Sequence, residues 1–176
     1  GLANLGRHTN EVYRANLLVR RTCDLLKAAY DAGSEYLCEN PADRGSLAPD
    51  TGHLLIDVRH APMWVMPCVQ QLRATTHASL ITFSQCQLGA EYQKYTSVLC
   101  SPALAYLFKR VYQWDTLRCT HRRHPKQAGG RRGEDGRYES PPSAAYPTEM
   151  NRQIADAVAA LGRLDESDVI YDFSPM

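Results

Sequence analysis

An amphipathic stretch over residues 10–32 stops at Gly33, and a short apolar string, Tyr36-Leu37-Cys38, follows almost at once and ends in Glu39-Asn40-Pro41. This junction constrains the fold more than any other feature. Val12, Ala15, Val19, Cys23, Leu26 and Tyr30 are spaced by three or four, so a helix places them on one face. Arg14, Arg20, Arg21 and Lys27 lie mostly off that face. Thr9 or Asn10 suits the start of the helix and Gly33 its end. The string that follows suits a strand over 35–39, stopped by the proline. Helix, glycine, then strand is the alternation of an α/β protein.

The rest of the chain continues that alternation. Residues 42–61 carry Gly45, Pro49 and Gly52 and read as loop, with a short strand at Leu54–Val58 inside it. Pro62-Met63-Trp64 predicts a tight turn, and Pro67 suits the first position of a short helix carrying Cys68, Val69 and Leu72. Residues 79–84 and 95–100 predict two strands of the same sheet. The polar link between them contains Gly89, which suggests an antiparallel pair with a long connection. Ser101-Pro102 reads as an N-cap and first helical residue, with a helix continuing to Arg110. Gly and Pro punctuate an irregular basic loop at about 120–147. Met150, Ile154, Ala157, Val158 and Leu161 make 148–161 a final helix, closed by Gly162.

A chain of 176 residues, 44% of them hydrophobic, suits one domain over residues 1–176. No apolar run approaches the roughly 18–20 residues of a membrane-spanning helix. No secretory pattern stands near Gly1, and the six scattered cysteines include no Cys-x-x-Cys. Reduced thiols and an intracellular location, nuclear or cytoplasmic, are therefore expected. The sequence starts without Met, as a processed product or fragment does.

The net charge of +1 is unevenly spread, since Lys109–Arg137 holds nine basic and three acidic residues. Such a stretch suits either a polyanion-binding surface or a solvated loop. Inside it, Cys119, His121 and His124 are ligand types for zinc. Yet Cys-x-His-x-x-His matches no common finger spacing and no second pair follows. No metal is assigned on these grounds, and a basic nucleic-acid contact with solvated histidines is the expectation. Elsewhere, Glu39 after a strand suits either a base-edge acceptor or a cap for the next loop. Gln85–Gly89 with Lys94 suits either a phosphate contact or an ordinary exposed loop. Cys68 follows a proline but sits among apolar residues and reads as core. No Gly-x-Gly-x-x-Gly, Walker-type loop or Gly-x-Ser-x-Gly occurs.

Taken in order, the motifs are a strand ending Glu39-Asn40-Pro41, the turn Pro62-x-Trp64-x-x-Pro67, Phe83-x-Gln85-Cys86-x-x-Gly89, Lys94-x-Thr96, and Tyr146-Pro147 before the last helix. Over about residues 10–161 this order resembles the C-terminal half of methyltransferase-like proteins carried by mobile elements. Those are similar to cytosine-C5 DNA methyltransferases. The resemblance implies a Rossmann-like, methyltransferase-type sheet with flanking helices, incomplete at its N-terminus. It also implies S-adenosylmethionine as cofactor and DNA as partner. Glu39 and Asn40 fall on the family's Glu-Asn-Val, whose Glu binds the flipped cytosine, and Lys94 stands in place of a hairpin Arg. Glu39, Asn40 and Lys94 are thus the implied catalytic residues. Arg122, Arg123, Lys126, Arg131 and Arg132 are expected to hold flanking phosphates. Pro41 replaces the family's Val, and Tyr95 stands where the mobile-element relatives usually have Pro. The Gly-rich cofactor loop and Pro-Cys nucleophile would precede residue 1. The resemblance therefore implies a fragment or degenerate copy, inactive alone, whose site a separate N-terminal half would complete. The alternative is a non-catalytic nucleic-acid-binding module of a mobile element. A structural remnant with no activity is a third reading.

Overall fold

The computed structural model of the chain describes residues 9–43, 62–126 and 145–164. Helix α1 (Thr9–Asp31) leads to strand β1 (Leu37–Pro41). Helix α2 (Pro67–Thr75), strand β2 (Ser79–Ser84) and strand β3 (Tyr95–Cys100) follow, then helices α3 (Pro102–Tyr106) and α4 (Thr148–Leu161). The architecture is mixed α/β, with the helices on both faces of a three-stranded sheet of order β1-β3-β2.

Strand alternation divides the core. Leu37 of β1, Ile81 and Phe83 of β2, and Val98 and Cys100 of β3 face one way, against Leu104, Phe108, Trp114, Met150 and Ala157. Cys38, Leu80 and Leu99 face the other way, against Cys23, Tyr36, Trp64, Val69 and Leu72. The stripe seen in the sequence, Val19, Cys23, Leu26 and Tyr30, is what α1 lays on this second face. Its end follows the glycine rule: Gly33 takes φ 80°, and Ser34 N–H reaches back to the Ala29 carbonyl at 2.9 Å.

The sheet differs from the Rossmann-like one that the resemblance implies. It is small, and both pairings, β1 with β3 and β2 with β3, are antiparallel. The reason lies in chain length. Residues 85–94 are too few for the crossover that parallel neighbours require, so β3 must return antiparallel beside β2. β3 is therefore the central strand, and β1 is an edge strand among the described residues.

Smaller departures also have local causes. The strand expected over 35–39 runs two residues later. Glu35 accepts the Ser101 hydroxyl, whose oxygen also takes the Tyr36 N–H at 3.0 Å. Ser101 thus ties β1 to the end of β3 rather than capping α3 with its side chain. Pro41 stays within the ladder because Ala42 N–H donates to the Tyr95 carbonyl at 3.1 Å. Successive N–H groups alternate sides, so the proline nitrogen faces the outer edge, where no donor is missed. The helix expected to reach Arg110 widens after Tyr106 into a π-turn over Leu107–Val111. The strand expected at Leu54–Val58 and most of the basic loop, with Arg131 and Arg132, lie outside the described residues. No helix among the described residues is long and apolar enough to cross a membrane. All six cysteines are free thiols.

Candidate functional site

The β2–β3 connection is built for rigidity. Residues 85–88 make a 3-10 turn closed by Gly89 at φ 92°, a conformation that strains any other residue. Fully buried Gln85 donates from Nε2 to Thr96 Oγ1 at 2.8 Å, and its own N–H goes to the Lys94 carbonyl. Tyr92, buried beside it, donates to the Ala145 carbonyl at 2.8 Å. That bond draws the segment before α4 over the sheet, and with it Tyr146.

Tyr146 donates its hydroxyl to Glu39 Oε2 at 2.5 Å. Lys94 Nζ lies 5.6 Å from the centre of the same tyrosine ring. Glu39 and Lys94 are thus each brought beside Tyr146. Asn40 does not join them. Adjacent strand residues point to opposite faces, and its Nδ2 meets Met63 Sδ at 3.5 Å on the other side. Glu39 Oε1 is buried and receives no hydrogen bond from any described residue. A buried carboxylate oxygen left in that state is costly and calls for an explanation.

Burial, and then the bond to Glu39, raise the Tyr146 hydroxyl from 10.0 to about 12. The native state keeps a proton there that the unfolded chain gives up, so stability falls as pH rises through this window. Tyr146→Phe is expected to lose less stability than the parent between pH 10 and 12 in urea melts. Tyr36 and Cys23, which burial raises to about 12, and Tyr92, which burial also raises, contribute to the slope that remains. Equal slopes in the two proteins would show that the Tyr146 hydroxyl is not coupled to folding.

A second constellation lies on the outer side of the connection. Ser84 N–H donates to the Leu117 carbonyl at 2.9 Å, Arg118 to the Thr82 carbonyl at 2.8 Å, and Cys119 N–H to Tyr95 Oη at 3.1 Å. Lys126 N–H then reaches the Glu91 carbonyl at 3.0 Å, and its ammonium pairs with the Glu91 carboxylate. The exposed ion pair adds little, but the backbone bonds lay residues 117–126 across the connection. This path brings Cys119, His121 and His124 to Cys86, with all four ligand atoms within 4.8 Å of one another. Burial first, with the neighbouring Cys119 thiol adding to it, pushes the Cys86 thiol up. Arg122 and Arg123 are exposed between the two histidines, and Lys126 lies just beyond.

The sequence reading grouped Cys119, His121 and His124 but missed Cys86, which it had placed in a polar connection. No spacing signal pointed to Cys86, because only the fold brings it to Cys119. It also missed the contact of Tyr146 with Glu39. Among the described residues there is no Gly-rich loop of the kind that the implied S-adenosylmethionine would require. The described glycines Gly33 and Gly89 close helical turns, Gly162 follows α4, and none opens a phosphate-type loop after a strand. No family model, curated protein or solved structure matches the chain.

Proposed function

We propose that the chain is the target-base half of a methyltransferase-type DNA site, an intracellular fragment or degenerate copy without catalysis of its own. The observation that carries this reading is the buried Glu39 Oε1, without a hydrogen-bond partner among the described residues, beside an oxygen already held by Tyr146. A carboxylate so placed accepts hydrogen bonds from a base edge. Cytosine offers its exocyclic amine, and beside it a ring nitrogen that donates when protonated. Such a base reaches a pocket only when extruded from the stack.

β1 and β2 each run antiparallel to β3, and α2 lies on the connection between them. The outer edge of β1, unpaired among the described residues, is where a separate N-terminal half would add its strands. S-adenosylmethionine would come with that half. Lys94 supplies positive charge beside Tyr146, Arg122 and Arg123 are exposed on the segment across the β2–β3 connection, and Arg131 and Arg132 follow them in sequence.

The test is fluorescence titration with two DNA duplexes of one sequence, one fully paired and one with a mismatched cytosine. Extrusion costs least at the mismatch. The chain is expected to bind the mismatched duplex more tightly, by roughly 10-fold or more, the scale of one good base-edge contact. Equal affinities would overturn the base-binding reading and favour the non-catalytic binding module. No binding to either duplex would overturn both.

A further inference from the structure

We propose that Cys86, Cys119, His121 and His124 form a structural zinc site that clips the basic segment to the β2–β3 connection. The donor set comes first. Two thiols and two imidazoles, with no carboxylate among them, suit zinc and disfavour magnesium or calcium. Each thiol gives its proton to solvent on binding, and each imidazole binds neutral.

The distances agree with this assignment. Zinc bonds of about 2.0–2.3 Å make a tetrahedron with ligand-to-ligand edges of roughly 3.3–3.8 Å. Cys119 Sγ already lies 3.4 Å from His124 Nε2. The His121 and His124 ring centres are 5.2 Å apart and inclined at 61°, so neither ring blocks the other's approach. The widest separation in the group is 4.8 Å. Small side-chain adjustments would close it, since His121 is exposed.

Chain proximity does not explain the meeting. Cys86 belongs to the turn after β2, far in sequence from Cys119. The fold delivers the two through the Ser84–Leu117 and Tyr95–Cys119 bonds, helped by Gln87 Nε2 reaching Thr120 Oγ1 at 3.4 Å. Ser84 Oγ lies 3.0 Å from Cys86 Sγ and is placed to orient that sulfur, as outer groups around a metal do. All four positions are filled by protein, which is the mark of a structural rather than a catalytic centre. Residues 117–126 form no helix or strand, so the ion would supply what regular structure does not. It would also fix Arg122 and Arg123, which lie between two ligands. The site stands independently of the base-binding reading.

The full chain, purified under reducing conditions and stripped with chelator, is titrated with zinc and, separately, with cobalt. One ion per chain is expected. The cobalt form is expected to show thiolate charge-transfer absorption and the visible bands of tetrahedral cobalt. Cys86→Ser, Cys119→Ser and His121→Ala should each weaken zinc binding by about 100-fold or more, since even outer-shell losses cost 10- to 100-fold. Cys68→Ser, which alters a half-buried thiol in the other core, should leave it unchanged. Cys86 is buried, so exposed His121 serves as the variant whose folding is not at issue. Absence of a stoichiometric ion, a Cys86–Cys119 disulfide under the same conditions, or unchanged affinity in Cys86→Ser or His121→Ala would each overturn the assignment. None of these readouts involves DNA, so the two proposals fail separately.

Discussion

Trp114→Ala is expected to destabilise the protein by about 3–5 kcal/mol, the scale for removing a buried aromatic ring. Trp114 has 0% exposure and joins three elements. Its ring stacks on Phe108 at 4.2 Å and leans on Phe83 of β2 at 4.4 Å. Its indole N–H donates to Gln153 Oε1 of α4 at 2.6 Å. Alanine would leave a void between β2, the π-turn and α4 that rigid neighbours cannot close. Domains of this size are stable by only about 5–15 kcal/mol, so the loss is a large share of the total. Trp114→Phe keeps an aromatic ring and should cost less, on the order of 1–2 kcal/mol. Urea denaturation measures both, with the midpoint falling and the slope unchanged. A loss below about 1 kcal/mol for the alanine variant would mean that the stack does not hold α4. The effect should extend to the cysteine–histidine cluster, because Leu117 and Cys119 follow directly from the turn that Trp114 anchors.

Glu39→Gln is expected to abolish the preference for a mismatched cytosine, an effect of roughly 10- to 100-fold on the ratio of affinities. The carboxylate offers acceptors only. With Oε2 held by Tyr146, Oε1 remains for a donor on the base. In glutamine one of those positions becomes an NH₂ group. If it turns toward the base, two donors face each other. If it turns toward Tyr146, the neutral oxygen left for the base is a weaker acceptor than a carboxylate. The swap is nearly isosteric, so the melting temperature should barely move. That separates a lost contact from a lost fold. Binding to the paired duplex should persist, because phosphate contacts do not depend on Glu39. A glutamine variant that still discriminates would remove Glu39 from the site. One that binds neither duplex while fully folded would show that Glu39 acts through the protein rather than on the base.

Much of the local structure was legible in the sequence because it depends on near neighbours. The spacing of Val19, Cys23, Leu26 and Tyr30 identifies the buried face of α1, and Gly33 its end, where the chain needs positive φ. The strands at 79–84 and 95–100 and helix 148–161 follow from their own periodicity, and they stand where it puts them. Pro67 at the first turn of α2 needs only its missing N–H to be understood. The limits of β1 were less legible. Ser101, far along the chain, decides where it begins, and the parity of the ladder lets Pro41 remain inside it.

Sequence alone thus determined the elements, their apolar faces and the types of residue available for chemistry, since propensity, capping and periodicity are local. Only the tertiary structure decided the strand order β1-β3-β2, which depends on which edges meet when the two cores are buried together. It also decided the company that the chemical groups keep. Strand alternation set Asn40 on the face opposite Glu39, and the Tyr92 bond to Ala145 brought Tyr146 to that carboxylate. The bonds from Ser84 and Tyr95 to residues 117 and 119 carried Cys119 to Cys86. These meetings join residues distant in the chain, and their free energy comes from closing the whole domain rather than from any segment of it.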